Sequence, residues 1–194
     1  KRYNHRSVEG WIEEVKLSHK EFSDLQAIEW ADRSTKVKII YPLSGNEAAV
    51  DIILNKEKER RLAIESAVID EEYLITNPIN LKQGGKGFLS IHPTYKKAVH
   101  NGFVVGVFKA DKIFSSIVDK KYHVQIKIGD KLVFTQGKFS SKDSSNTSDR
   151  NNFQINIGKK LFKISLYKVV NTDFFNINES KLYTFFITIF DILF

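Results

Sequence analysis

Gly102-Phe103-Val104-Val105-Gly106-Val107-Phe108-Lys109-Ala110-Asp111 is the stretch whose reading decides the fold. Its β-branched and aromatic residues favour an extended chain. Successive side chains of a strand point to opposite sides, so Val104 and Phe108 share one face and Phe103, Val105 and Val107 the other. Both faces are apolar. A strand of this kind belongs in the middle of a sheet that is covered on each side.

Short apolar runs precede it at Tyr73 to Thr76, Ile79 to Lys82 and Phe88 to His92, with glycines at 84, 85, 87 and 102 supplying turns. Their spacing is too close for helical crossovers, which predicts an antiparallel meander. Downstream, Asp111 opens a short helix to Val118. Four further runs, Tyr122 to Ile128, Lys131 to Thr135, Phe153 to Ile157 and Lys160 to Val169, predict a second antiparallel sheet. Ile128-Gly129-Asp130-Lys131 and Ile157-Gly158-Lys159 read as its hairpin turns. Ser140 to Asn152 is polar throughout and reads as a loop; Asn146-Thr147-Ser148 within it and Asn178-Glu179-Ser180 later are glycosylation sequons if the chain crosses a eukaryotic secretory pathway.

Toward the N-terminus, Val8, Trp11, Ile12, Val15, Phe22, Leu25 and Ile28 recur at helical spacing. They predict a long helix from about 7 to 32, on the order of 40 Å at 1.5 Å per residue. Lys36 to Tyr41 follows as a strand stopped by Pro42, and Lys56 to about Val68 as a helix capped by Asn55, with Leu62, Ile64 and Ala67 available for burial.

A 42% apolar and 27% charged composition is that of a folded body, and it argues against disorder. The absence of Met and Cys reads as a segment of a longer protein and removes disulfides and thiolate metal sites. The formal charge of +7 is spread over lysine pairs with no aromatic stacking motif or zinc-finger spacing, which argues against nucleic acid as a partner. Five histidines lack metal-ligand spacing, Gly84-Gly85-Lys86-Gly87 lacks the phosphate-loop pattern, and no nucleophile elbow is present. Neither an enzyme active site nor a cofactor is expected. Residues 182 to 194, rich in aromatic and aliphatic side chains, read either as the start of a transmembrane helix or as a buried strand in which Asp191 is tolerated.

Several local patterns occur in a fixed order: Ile28-Glu29-Trp30, Ser44-Gly45-Asn46-Glu47, Asp51, Leu81 to Gly87, His92-Pro93-Thr94-Tyr95, and the Gly102 stretch. In this series the chain resembles the CHASE family, the extracytoplasmic sensor domains of membrane-bound histidine kinases and of nucleotide and diguanylate cyclases. The resemblance implies an α+β fold, a long N-terminal helix followed by two PAS-like antiparallel-sheet subdomains. It divides the chain into the helix (1–34), a membrane-distal subdomain with the ligand pocket (35–118), a membrane-proximal subdomain (119–181) and the possible membrane segment (182–194).

The resemblance also implies a homodimer on the extracellular or periplasmic side of a membrane, flanked by transmembrane helices and binding a small molecule. Asp51 falls where cytokinin receptors of the family carry an aspartate that bonds adenine. Its partner here is either a ligand N–H or backbone amides near Asn46. Ile75, Leu81, Phe88, Phe103 and Val105 either line the pocket or fill a core. Gly84 stands where those receptors have a pocket threonine, and the segment after Trp30 is short, so adenine-like and cytokinin-like compounds are only one ligand class. The alternative is a dimerising osmotic, mechanical or protein-interaction sensor that takes no small ligand.

Overall fold

The computed structural model describes residues 8–21, 25–120, 122–137 and 150–167. Among the described residues, two antiparallel sheets and three α-helices make up the fold. The first sheet has the order β2-β1-β6-β5-β3, with β4 also pairing β5. Its strands are β1 (Leu25–Ala31), β2 (Val37–Tyr41), β3 (Leu74–Ile75), β4 (Ile79–Asn80), β5 (Lys86–Lys96) and β6 (Val99–Lys109). The second sheet, ordered β8-β7-β10-β9, comprises β7 (His123–Ile128), β8 (Lys131–Gln136), β9 (Arg150–Ile157) and β10 (Lys160–Tyr167). The helices are α1 (Val8–Glu21), α2 (Lys58–Asp70) and α3 (Ala110–Ile117).

The Gly102 stretch as far as Lys109 lies in the central strand β6, held between β1 and β5, and Ala110 and Asp111 open α3. Its alternation is the one read from the sequence. Val104 and Phe108 join one apolar cluster, and Phe103, Val105 and Val107 join the other. The first cluster also contains Val15 of α1, Ile113 and Phe114 of α3, and the inner residues of the second sheet, among them Ile126, Phe162 and Ile164. The second cluster is closed by Ile64 and Ala67 of α2 and by Ala49 and Leu54 of two short 3-10 turns. Lys97 and Ala98, both with positive φ, turn β5 into β6, and Gly129 and Gly158 sit in the two hairpin turns of the second sheet.

The expected helix over 7–32 is corrected. Its apolar stripe belongs to α1 only as far as Glu21, and Leu25–Ala31 is a strand. Leu25, Ala27, Ile28, Glu29 and Ala31 are all buried there, a density that a one-sided helix stripe does not require and a strand covered on both faces does. Trp30 accordingly lies on β1 and not at a helix end. Three smaller corrections follow. The residue before α2 is Glu57, with Asn55 inside a 3-10 turn; Leu62 is 54% exposed; and Arg150 to Asn152 belong to β9 and not to a loop. Residues 182–194, both sequons and most of the polar loop lie outside the described residues, among which no helix is long and apolar enough to cross a membrane.

Candidate functional site

The α2 side of the first sheet carries the most unusual residue of the molecule. On β1, Ala27, Glu29 and Ala31 project to this side, and Glu29 pairs in register with Ile40 of β2 and Val105 of β6. Glu29 is 3% exposed and the only buried carboxylic side chain among the described residues. Among the described residues no hydrogen-bond donor or cation reaches it, and desolvation pushes its pKa up to about 8. A carboxyl in that position is largely protonated at neutral pH and can donate as well as accept a hydrogen bond. Its strand neighbours are alanines, so its own carboxyl is the largest group that β1 offers on this face.

Asp51 is placed differently from either reading of the sequence. It follows a 3-10 turn at φ 64, with its side chain 61% exposed, and does not enter an apolar strand. Its partner is the Lys36 ammonium at 2.9 Å, with Lys38 at 4.0 Å, and the hydrogen bond from Lys36 holds its carboxyl below the usual range. Neither a ligand nor the amides near Asn46 are needed. Asn46 itself is buried and satisfied: its Nδ2 donates to the Pro42 carbonyl at 2.9 Å, and its Oδ1 accepts from Gln26 Nε2 at 3.0 Å.

The other predicted site residues do not converge. Leu81, Phe103 and Val105 lie with Glu29 on the α2 side, whereas Ile75 and Phe88 belong to the opposite cluster. Alternation separates them: Phe88 pairs with Phe108, and both turn away from α2. Gly84 occupies an exposed turn at φ +88, where an added Cβ would meet nothing within 4 Å but a β-branched threonine would be strained by the left-handed backbone. Of the predicted set, three residues therefore share the face of Glu29.

A small cleft of about 50 Å³, partly open to solvent, lies at the β3 edge of the same sheet. The residue before α2, Glu57, and the first turn of α2, with Glu59 and Arg60, contribute to it; the segment after β3 contributes Asn77; the second sheet contributes Lys131 and Lys160. Lys160 Nζ donates to Asn77 Oδ1 at 3.0 Å, and Asn77 Nδ2 donates to Glu59. The described residues contain no group of three metal-ligating side chains.

The profile of the CHASE domain matches residues 1–148. The chain belongs to the CHASE family. Solved structures show the same fold in extracellular sensors. An extracellular ligand binding receptor from Desulfohalobium retbaense superposes with a TM-score of 0.62 at 10% identity, covering 84% of this CHASE domain and 34% of the receptor chain. This chain thus spans about a third of that one. The extracellular domain of the putative histidine kinase rpHK1S-Z16 gives 0.54 at 13% identity, with 85% and 78% covered. The ligand-binding domain of the Pseudomonas aeruginosa amino acid chemoreceptor PctB, in complex with L-Gln, gives 0.51 at 12% identity, with 92% and 83% covered. Comparison with curated proteins finds no match.

Glu29 has a signal in the sequence, although the family resemblance points to Asp51. The signal is the run Ala27-Ile28-Glu29-Trp30-Ala31, in which a carboxyl alternates with alanines on one side of a strand. It is legible only once that segment is read as extended. In a helix the same carboxyl is an ordinary solvated side chain.

Proposed function

We propose that this CHASE domain is the extracytoplasmic ligand-sensing module of a membrane receptor, and that its small-molecule ligand is held on the α2 side of the six-stranded sheet with Glu29 as the polar anchor. The observation that carries this is the burial of the Glu29 carboxyl without a partner. An unsatisfied buried polar group costs free energy, and strongly perturbed carboxyls concentrate at functional sites. A ligand amine or N–H supplies the missing partner. Leu81, Phe103 and Val105 form the apolar floor beside it, while Ile75 and Phe88 are core.

A free amino acid is the first ligand class to test, since it presents an ammonium to the carboxyl and PctB has the same fold with L-Gln bound. An adenine-like ligand has lost its sequence support, because that rested on Asp51. The transmission route starts at α2. The tip of the β9–β10 hairpin contacts both ends of that helix: Lys159 Nζ reaches Asp70 at 2.7 Å and Glu72 at 3.0 Å, and Lys160 reaches Glu59 through Asn77. The Ile75 amide donates to the Gly158 carbonyl at 3.2 Å. A ligand that prefers one position of α2 shifts the population of hairpin positions with it.

In this reading residues 35–118 are the membrane-distal PAS-like unit and 119–181 the proximal one. The same reading includes a homodimer, membrane helices on either side, and an output that is a kinase or a cyclase. The test is a thermal-stability screen of the domain with the twenty amino acids and a set of adenine derivatives. A ligand at a hundredfold excess over Kd stabilises by about 2.7 kcal/mol. If no compound does so, or if Glu29→Gln leaves the affinity of the hit unchanged, the assignment of this face fails.

A further inference from the structure

We infer that the cleft at the β3 edge binds a small monocarboxylate, taken by the guanidinium of Arg60. This goes beyond the proposed function. Arg60 lines a different place from Glu29, since β1 and β3 are three strands apart in the sheet, roughly 14 Å at the usual strand spacing.

The Arg60 side chain is only 18% exposed, yet its guanidinium makes no hydrogen bond among the described residues. The nearest carboxylate is Glu57, with Oε2 at 3.7 Å from Nη2, too far for a hydrogen bond. The Nε donor is sealed from water with no acceptor. A guanidinium carries five donors in a planar fork, and leaving them unused while partly desolvated is unfavourable. A carboxylate matches that fork with two parallel acceptors.

Charge and shape narrow the ligand further. Glu59 is engaged by Asn77, and Lys131 has no carboxylate within ion-pair distance among the described residues. Arg60, Lys131 and Lys160 face Glu57 and Glu59, three positive charges against two negative. The surplus is one, which a monocarboxylate neutralises and a phosphate dianion exceeds. Leu74 and Ile79 in the cleft wall offer apolar surface to a short alkyl end. Because Arg60 sits on α2 while Lys131 and Lys160 belong to the second sheet, an anion there ties α2 to the second sheet. It would reinforce the contact that the hairpin tip makes with α2.

Propionate titrated into the 194-residue domain at constant ionic strength, followed by protein NMR shifts, tests this. Saturable binding is expected, weakened about tenfold or more in Arg60→Gln and a few-fold in Lys131→Gln. Glu29→Gln should leave propionate affinity unchanged, which separates this site from the ligand face proposed above. Absence of saturation in the folded domain overturns the inference. So does tighter binding of inorganic phosphate than of propionate, or wild-type affinity in the variants. Should Arg60→Gln fail to fold, Lys131→Gln, at an exposed position, decides the matter.

Discussion

The two faces of the six-stranded sheet are built from the same strands and do opposite work. Toward the second sheet, Phe88 stacks on Phe108 with centroids 5.0 Å apart and planes at 7°, meets the edge of Phe162 from β10 at 5.8 Å, and lies 6.2 Å from Phe114 of α3. Toward α2, the packing is mostly aliphatic with Phe103 as its one buried phenyl ring among the described residues, alanines flank Glu29, and a carboxyl is buried without a protein partner among those residues. Aromatic burial with offset contacts is the stronger adhesive. The lesson is that one face joins the two sheets and holds the fold, while the other carries a cost that packing alone does not explain.

The comparison is most exposed to failure at Phe88. Phe88→Ala removes a fully buried ring that touches three others, and the expected loss is about 3–5 kcal/mol in denaturant unfolding. If the loss is small, the aromatic face is not what holds the sheets together. Truncation on the other face, such as Val105→Ala, should cost less because fewer atoms leave.

Glu29 supplies the second test. Its pKa in the folded chain is about 8, above the ordinary value of 4.5, so the folded state binds the proton more tightly than the unfolded state. Its contribution to stability is therefore complete below about pH 4.5 and is lost as pH rises through about 8. Between about pH 5 and 9 wild type should lose a few kcal/mol relative to Glu29→Gln, which cannot ionise. Parallel pH profiles of the two proteins would show that this face holds no such carboxyl. A ligand ammonium should oppose the loss, since it stabilises the ionised form.

Gly158 tests the join itself. At φ +52 it is in the left-handed region, and a Cβ there would meet Ile75 Cγ1 at 2.6 Å and Tyr73 Cε2 at 2.8 Å. Gly158→Ala is expected to cost about 1–2 kcal/mol from the backbone alone. The hairpin must also move away from β3. In a receptor assay the variant should reduce the response to ligand while ligand affinity in the isolated domain changes little.

Period-two patterns carried the reading of the fold wherever they were unbroken. Residues 102–111 alternate so clearly that the central strand, its neighbours and its covered faces followed, and Gly129 and Gly158 marked real hairpins. The first strand was hidden because Leu25 and Ile28 also satisfy helical spacing with Val15 and Phe22, and nothing between them is a proline. Read as a helix, Leu25–Ala31 gives Glu29 no sheet face, and the resemblance to the family points to Asp51 instead. Lys36, just before β2, and Lys38 within it are what hold Asp51 at the surface. Such long-range charge pairing leaves no periodic trace.

The smallest effect is expected at Asp51, and it is the one that most sharpens the contrast between a carboxyl that titrates the fold and one that does not. Its ion pair with Lys36 is open to solvent, where side-chain entropy and screening cancel most of the attraction. Asp51→Ala should therefore leave the melting temperature within the error of its measurement at physiological salt. It should also leave ligand affinity unchanged, whereas Glu29→Gln alters it. The positive φ of Asp51 is the one reason to expect a deficit, because alanine tolerates the left-handed region less well than aspartate. Asp51→Asn keeps that tolerance and removes the charge, so it isolates the ion pair: a receptor that loses its response in Asp51→Asn would return the ligand to the loop and take it from the sheet face.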